Sequence, residues 1–338
     1  MTLQMRRKLI IVTALCFLLS PFLNKGLKAQ DPEFTQFYAN PLYLNPAFAG
    51  SYRCPRIAYN FRNQWPNIAG TYTTHSASYD QHIDAIAGGI GVLVTQDNAG
   101  QGTLTSTTAS LIYSYFLPVT KSFSIKAGIQ ATYYQKALNW NKLTFGDQID
   151  QQLGFISQTN ETTNGIQSIN AFDISAGLLA YSKSFYIGGA VHHILEHNES
   201  FLGSNELPMK ITGHAGAIIN TGDQRTKRRR GRDNPNALPE SSISPNVLYR
   251  RQRDFQQLNL GVYVTKGPLV GGLWYRNKDS FIALVGLQFQ NFRFGYSYDI
   301  TVSKLSANSA GSHEISASIL FSCRPKKKRF TPVACPSF

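Results

Sequence analysis

The stretch Phe123-Ser124-Ile125-Lys126-Ala127-Gly128-Ile129-Gln130-Ala131-Thr132-Tyr133-Tyr134 separates into two faces when every second residue is taken. Phe123, Ile125, Ala127, Ile129, Ala131 and Tyr133 form one; Ser124, Lys126, Gly128, Gln130, Thr132 and Tyr134 form the other. Side chains alternate across a strand with period two, so this reads as a β-strand with an apolar face and a polar face. The same alternation runs through Phe172–Ala180, Leu258–Val264, Phe292–Ile300 and Ile315–Phe321. The polar faces carry Lys126, Asp173, Arg293, Asp299 and Glu314, charges that a dry core rarely accepts. A soluble sandwich also alternates, but one of its faces meets bulk water. A transmembrane barrel turns its apolar face to lipid and its polar face to the lumen, with aromatic girdles at both rims. Trp65, Tyr115, Phe116, Tyr133, Tyr134, Trp274, Tyr275, Tyr296 and Tyr298 lie near strand ends and are read as such girdles. In lipid every backbone group must be paired, which a closed barrel achieves.

Extending the reading along the chain predicts strands at 56–65, 70–82, 87–97, 103–116, 122–138, 170–181, 184–194, 209–220, 243–252, 255–265, 268–277, 280–290, 291–301 and 312–322. The fold class is therefore all-β, an outer-membrane barrel of about fourteen antiparallel strands. Twelve and sixteen are the neighbouring even counts. With both chain ends in the periplasm, 139–169 and 195–208 become extracellular loops, and 117–121 and 182–183 become short periplasmic turns. Residues 221–242 are the exception, long yet on the periplasmic side. That placement marks either a strand error or a functional segment.

Three segments hold 16 of the 33 basic residues and no acid: residues 1–29, 225–232 and 324–329. The rest of the chain has 17 basic against 19 acidic residues. The formal charge of +14 is thus local, and the body is not a polycation that would seek nucleic acid. Composition, with 42% hydrophobic, 12% aromatic and 15% charged residues, excludes a disordered chain. Arg6, Arg7 and Lys8 precede an apolar run from Leu9 to Leu23, and Leu27-Lys28-Ala29 precedes Gln30. Residues 1–29 therefore read as a signal peptide cleaved after Ala29, and the mature chain as exported. Residues 30–55 form an N-terminal segment, 56–322 the barrel and 323–338 a basic, Cys-containing periplasmic tail. Phe34, Phe37, Tyr38, Tyr43 and Phe48 have no place in an exposed strand of chain, so the N-terminal segment is expected to fold into or under the barrel and partly plug it.

Arg225, Lys227, Arg228, Arg229, Arg230 and Arg232, with Arg324, Lys326, Lys327, Lys328 and Arg329, are the candidate docking residues. Such runs serve either as solvated loops or as electrostatic docks for an acidic periplasmic protein or lipid phosphates. No aromatic platform is interleaved with them, which argues against nucleic acid. Cys323 and Cys335 are a candidate disulfide closing a small loop in an oxidising compartment. That pairing leaves Cys54 over, and a free or partner-linked thiol is the alternative. His192-His193 with His197 invites a metal reading, but neighbours in a strand point to opposite faces, so His192 and His193 are not expected to chelate one ion. Gly88-Gly89-Ile90-Gly91 opens a strand and lacks the Lys-Ser/Thr of a phosphate loop. Asp147 and Asp150 lack the spacing of a calcium loop. With no nucleophile elbow and no zinc spacing, no enzyme activity, cofactor or metal is expected.

The segment Gln30-Asp31-Pro32-Glu33-Phe34-Thr35-Gln36-Phe37-Tyr38-Ala39-Asn40-Pro41, continued by Asn45-Pro46-Ala47-Phe48-Ala49-Gly50, resembles the opening of the PorP/SprF family of type IX secretion and gliding proteins of Bacteroidota. Further matches are Phe61-Arg62-Asn63-Gln64-Trp65, Leu143–Asp150, Gly272-Leu273-Trp274-Tyr275-Arg276, Phe294-Gly295-Tyr296-Ser297-Tyr298-Asp299 and Gly311–Ser316. The resemblance implies a non-enzymatic outer-membrane component. Its implied partners are a periplasmic ring lipoprotein with its associated protein, or the C-terminal domain of a secreted surface adhesin. A diffusion porin or solute transporter is the alternative reading of the barrel.

Overall fold

The computed structural model describes residues 31–68, 70–120, 122–150, 152, 154–155, 159, 168–201, 205–221, 241–277, 279–302 and 310–323. Among the described residues fourteen long strands build the barrel in chain order: β1 Arg56–Gln64, β2 Tyr72–Ile83, β3 Gly88–Ala99, β4 Leu104–Pro118, β5 Phe123–Leu138, β6 Ser168–Ser182, β7 Phe185–His192, β8 Lys210–Ala217, β9 Ser241–Gln252, β10 Phe255–Lys266, β11 Leu269–Arg276, β12 Ser280–Gln288, β13 Phe292–Thr301 and β14 Ser312–Leu320. Each is antiparallel to its neighbours in sequence, and β1 pairs with β14 from Arg56↔Leu320 to Gln64↔Ser312. The sheet is thus a closed barrel with no free edge for lipid to meet. Every expected strand is present, with ends shifted by a few residues. The β8–β9 pairing runs to Gly216↔Asn246 and resumes at Ile219↔Ile243. The lapse falls opposite Pro245, which has no N–H to donate.

The two faces follow the alternation of the sequence, but with the burial of a soluble protein reversed. Outward residues are large, apolar and open: Phe172 is 73% exposed and Leu111 68%. Inward residues are polar and enclosed: Asp80, Lys126 and Glu314 are each 1% exposed. A chain folded for water would not arrange its surface this way. This is a membrane β-barrel, with its apolar wall facing hydrocarbon.

Three aromatic positions depart from the girdle expectation. Trp274 and Tyr134 are buried in the lumen and Phe116 packs against the lumenal cluster, while their neighbours Tyr275, Tyr133 and Tyr115 face outward. Period two decides this: Trp274 shares parity with Arg276, Tyr134 with Lys126 and Phe116 with Ser114, so all three must point inward.

By strand direction, β1 starts and β14 ends at the same rim, which we call the terminal rim. Short links join strands there at 84–87, 119–122, 183–184, 267–268 and 289–291. The connection between β8 and β9 leaves from this rim too, after Thr221, and returns at Ser241. The long connections at 139–167 and 193–209 leave from the opposite rim. Among the described residues no helix is long and apolar enough to cross a membrane. The longest regular helix described is α1, Pro41–Leu44.

Candidate functional site

The barrel's hydrophobic cluster lies on its inside, and the N-terminal segment supplies much of it. Phe37, Tyr38, Leu42, Leu44, Ala47 and Phe48 are buried with Leu93, Ile112, Leu179, Tyr181, Tyr186, Tyr263 and Trp274. Burying such a side chain is worth roughly 1.5–3 kcal/mol, which offsets the entropy of ordering the segment. Its sequence favours compact turns. Pro41 opens α1, and Asn45 caps a 3₁₀ turn at Pro46–Phe48, its Oδ1 accepting from Ala47 N–H at 2.9 Å. Both prolines stand where a turn has no use for their missing N–H.

Inward side chains from β2 to β11, and from β13 and β14, meet this segment. The Thr35 N–H and hydroxyl donate to Glu314 Oε2 at 2.6 and 2.7 Å, and Gln36 N–H donates to Glu314 Oε1 at 3.1 Å. Gln36 Nε2 donates to the Glu314 backbone oxygen at 3.0 Å. Arg62 ties the same carboxylate (3.5 Å) to Asp299 (3.1 Å), and Arg276 lies 3.6 Å from Asp299. Four charges of both signs thus compensate one another, as enclosed charges must. Glu33 Oε2 accepts from Gln257 Nε2 at 2.9 Å and its Oε1 lies 3.6 Å from Arg250. Burial pushes the Glu33 carboxyl up, but Arg250, Arg276, the Gln257 hydrogen bond and Arg62 together hold it below the usual carboxylate value. The Arg250 guanidinium also sits 5.1 Å over the Phe37 ring, and Phe37 meets Trp274 edge-on at 5.0 Å, both favourable aromatic geometries.

The wall from β2 to β8 holds the later half of the segment differently. Asn40 Nδ2 donates to Ser76 Oγ at 2.9 Å. Asn45 Nδ2 donates to the backbone oxygens of Leu178 and Gly189, each at 3.1 Å. Phe48 stacks on His214 at 5.4 Å. Ala49 O accepts from Ser114 Oγ at 2.6 Å and from Lys126 Nζ. Gly50 N–H donates to Asp80 Oδ2 at 2.8 Å, and Arg56 Nε binds the same carboxylate at 2.7 Å. Backbone meets backbone here: a Cβ on Gly89 would strike Ala49, and one on Gly128 would strike Pro46 and Ala47. The glycines that opened β3 without a phosphate-loop context are therefore there for close approach. Tyr52 closes the segment, its hydroxyl accepting from Arg293 Nη1 at 2.6 Å.

Cys54, at the end of the segment, is bonded to Cys323, 269 positions further along the chain, with Cα atoms 5.5 Å apart. This corrects the expected Cys323–Cys335 pair. The β1–β14 seam decides the partner: Phe321 N–H donates to Pro55 O at 3.0 Å, which brings Cys54 and Cys323 side by side. Cys335 lies outside the described residues. So do residues 1–30, with the expected signal peptide, and all eleven docking candidates: Arg225, Lys227, Arg228, Arg229, Arg230, Arg232, Arg324, Lys326, Lys327, Lys328 and Arg329. Their flanking residues Thr221, Ser241 and Cys323 all belong to the terminal rim.

Fold and site define a class: a fourteen-stranded membrane β-barrel whose own N-terminal segment occupies its lumen. The family model for the type IX secretion system membrane protein PorP/SprF matches residues 26–319, and the chain belongs to that family. Solved structures of similar fold include the Pseudomonas putida toluene transporter TodX (11% identity, 83% of this chain and 93% of that one, TM-score 0.47). The Ralstonia pickettii toluene transporter TbuX is similar at 11% identity (83% and 93%, TM-score 0.45). The Acinetobacter baumannii outer-membrane protein Omp33 is similar at 10% (80% and 100%, TM-score 0.43). No curated protein matches the chain.

Proposed function

We propose that this protein is a non-enzymatic, integral outer-membrane component of the type IX secretion and gliding machinery that acts as a plugged scaffold. The observation that carries this reading is the occupation of the lumen by residues 33–52, bonded to strands all round the barrel. A diffusion pore needs that space for water and solute. In this reading the terminal rim faces the periplasm. It offers the basic runs at 225–232 and 324–329 to an acidic periplasmic ring lipoprotein and its associated protein. Cationic segments of this density steer and hold anionic surfaces. The longer connections at 139–167 and 193–209 face outward and suit anchoring, or helping to export, a surface adhesin through its C-terminal domain.

Crosslinking in native outer membranes, followed by affinity purification and mass spectrometry, tests the proposal. The full chain is compared with one ending at Cys323, which keeps the Cys54 bond intact. A ring lipoprotein recovered only with the full chain supports docking through the tail. A large secreted adhesin recovered equally with both supports anchoring by the outer loops. Recovery of neither, together with solute-permeable channels in planar bilayers, would favour a porin or solute transporter.

A further inference from the structure

At the rim opposite the termini, β7 ends at His192 and the chain leaves the ladder at His193, whose φ is 59°. The period-two argument that separates His192 from His193 therefore says nothing about what His193 can meet. Its Nδ1 lies 2.7 Å from Asp173 Oδ2 on β6. A turn with Glu196 N–H donating to His193 O at 3.3 Å brings His197 back over the same spot. The His193 and His197 rings are 6.2 Å apart, and His197 also packs on Tyr134 at 4.8 Å. One ligand atom from each of Asp173, His193 and His197 lies within 4.8 Å of the other two.

The His197 side chain is only 7% exposed, yet neither ring nitrogen has a hydrogen-bond partner among the described residues. Its Nε2 is 3.7 Å from Glu199 Oε1, beyond hydrogen-bond reach. Enclosing an imidazole without a hydrogen bond, with only the Glu199 carboxylate at ion-pair distance, is costly. The carboxylate beside it is firmly aimed: Asp173 Oδ1 accepts from the N–H groups of Ile174 at 2.8 Å and Leu195 at 3.3 Å. Such support is what orients a metal ligand.

We propose that Asp173, His193 and His197 form a binding site for a zinc-type divalent transition ion. Two imidazoles and one carboxylate are the donor set such ions prefer, and a poor one for calcium or magnesium, which take oxygen. Tetrahedral ligand atoms at zinc distances stand about 3.4 Å apart, so the widest separation in the trio would close by roughly an ångström while His193 Nδ1 and Asp173 Oδ2, now 2.7 Å apart, would exchange their hydrogen bond for the ion. The fourth position falls to water or to the nearby Glu199 carboxylate, which Lys136 Nζ holds at 2.9 Å. Because Asp173 sits on a strand and His197 in a connection, the ion would clasp the 193–209 connection to the barrel wall.

The test uses the mature protein in detergent, purified with a tag that contains no histidine. Zn²⁺ alone is titrated by calorimetry, and Co²⁺ alone by its visible absorption. We expect one equivalent of Zn²⁺ per chain, a Co²⁺ spectrum of low-coordinate type that Zn²⁺ abolishes, and no competition from Ca²⁺. His197→Ala and Asp173→Asn are expected to weaken binding at least tenfold. His75→Ala and His313→Ala, at outward-facing, partly buried histidines hydrogen-bonded to Tyr59 and Tyr296, should leave it unchanged. Heat-modifiable gel mobility checks that each variant is folded, and His197→Gln replaces His197→Ala should that one fail. The absence of saturable binding to folded wild-type protein overturns the proposal, as does binding that survives loss of His197 or falls equally in the control variants.

Discussion

The two walls of the lumen hold one segment by different physics. The wall formed by β9–β14 with Arg62 of β1 works by charge and aromatic faces: Glu314 on Thr35 and Gln36, Arg250 on Glu33 and Phe37, Trp274 on Phe37. The wall from β2 to β8 works mainly by shape, with glycines that admit the Pro46–Gly50 backbone and polar groups that satisfy its carbonyls and N–H groups. A charged contact weakens with protonation, whereas a fitted contact answers to volume. Together they seat residues 33–52 at both ends, so loosening one end need not release the other.

The largest expected effect comes from removing what both walls hold. Deleting residues 33–50 should raise single-channel conductance in planar bilayers by roughly tenfold or more, since a fourteen-strand barrel without a filled lumen leaves a channel. Unchanged conductance would show that these residues do not block the pore. Next comes Glu314→Gln, which removes a charge from the Arg62–Asp299–Arg276 cluster and weakens the anchor of Thr35 and Gln36. Breaking an enclosed pair costs about 3–5 kcal/mol, read as a lower midpoint of heat modification and faster proteolysis near Thr35. Gly128→Val tests the other wall. Overpacking against backbone costs about 1–3 kcal/mol and should free the Pro46–Gly50 turn, as hydrogen exchange would report. Gly271→Val, where no atom lies within 4 Å of the added Cβ, should do nothing comparable.

The smallest effect concerns pH. The native Glu33 carboxyl titrates below its ordinary 4.5. Its stabilising contribution is therefore complete above that value and disappears as pH falls through the depressed native one. Proteolytic protection of residues near Glu33 should fall on acidification in the wild type and stay flatter in Glu33→Gln. If Gly128→Val changed that acid response as much as Glu33→Gln does, the division between the walls would be wrong.

Much of this was legible because it is periodic or compositional. Fourteen alternations mark fourteen strands, Lys126 and Glu314 sit on the face that turns inward, and Phe34, Phe37 and Phe48 signal a segment that must be covered. What escaped depends on distance in the chain or on where a period stops. Cys323 has Cys335 twelve residues away and Cys54 far behind it, and only barrel closure makes the distant one adjacent. Trp274 and Tyr134 stand near strand ends, where aromatics suggest a girdle, yet parity with Arg276 and Lys126 carried the correct face. His193 steps out of the strand at its left-handed φ, so a rule about strands no longer governed it. The glycines Gly89 and Gly128 show their purpose only once a second backbone lies against them.

The Cys54–Cys323 bond makes the barrel a covalent ring with two branches, one leading back through the lumen segment that precedes Cys54 and the other to the chain beyond Cys323. A mechanical load applied to the outer part of the tail does not fall on β14 alone. It divides at the sulfur bridge, one part shearing the β14 ladder and the other passing directly to Cys54, where the lumen segment is rooted. Any partner that grips the tail would therefore have a handle on the inside of the barrel, through two sulfur atoms rather than through the sheet.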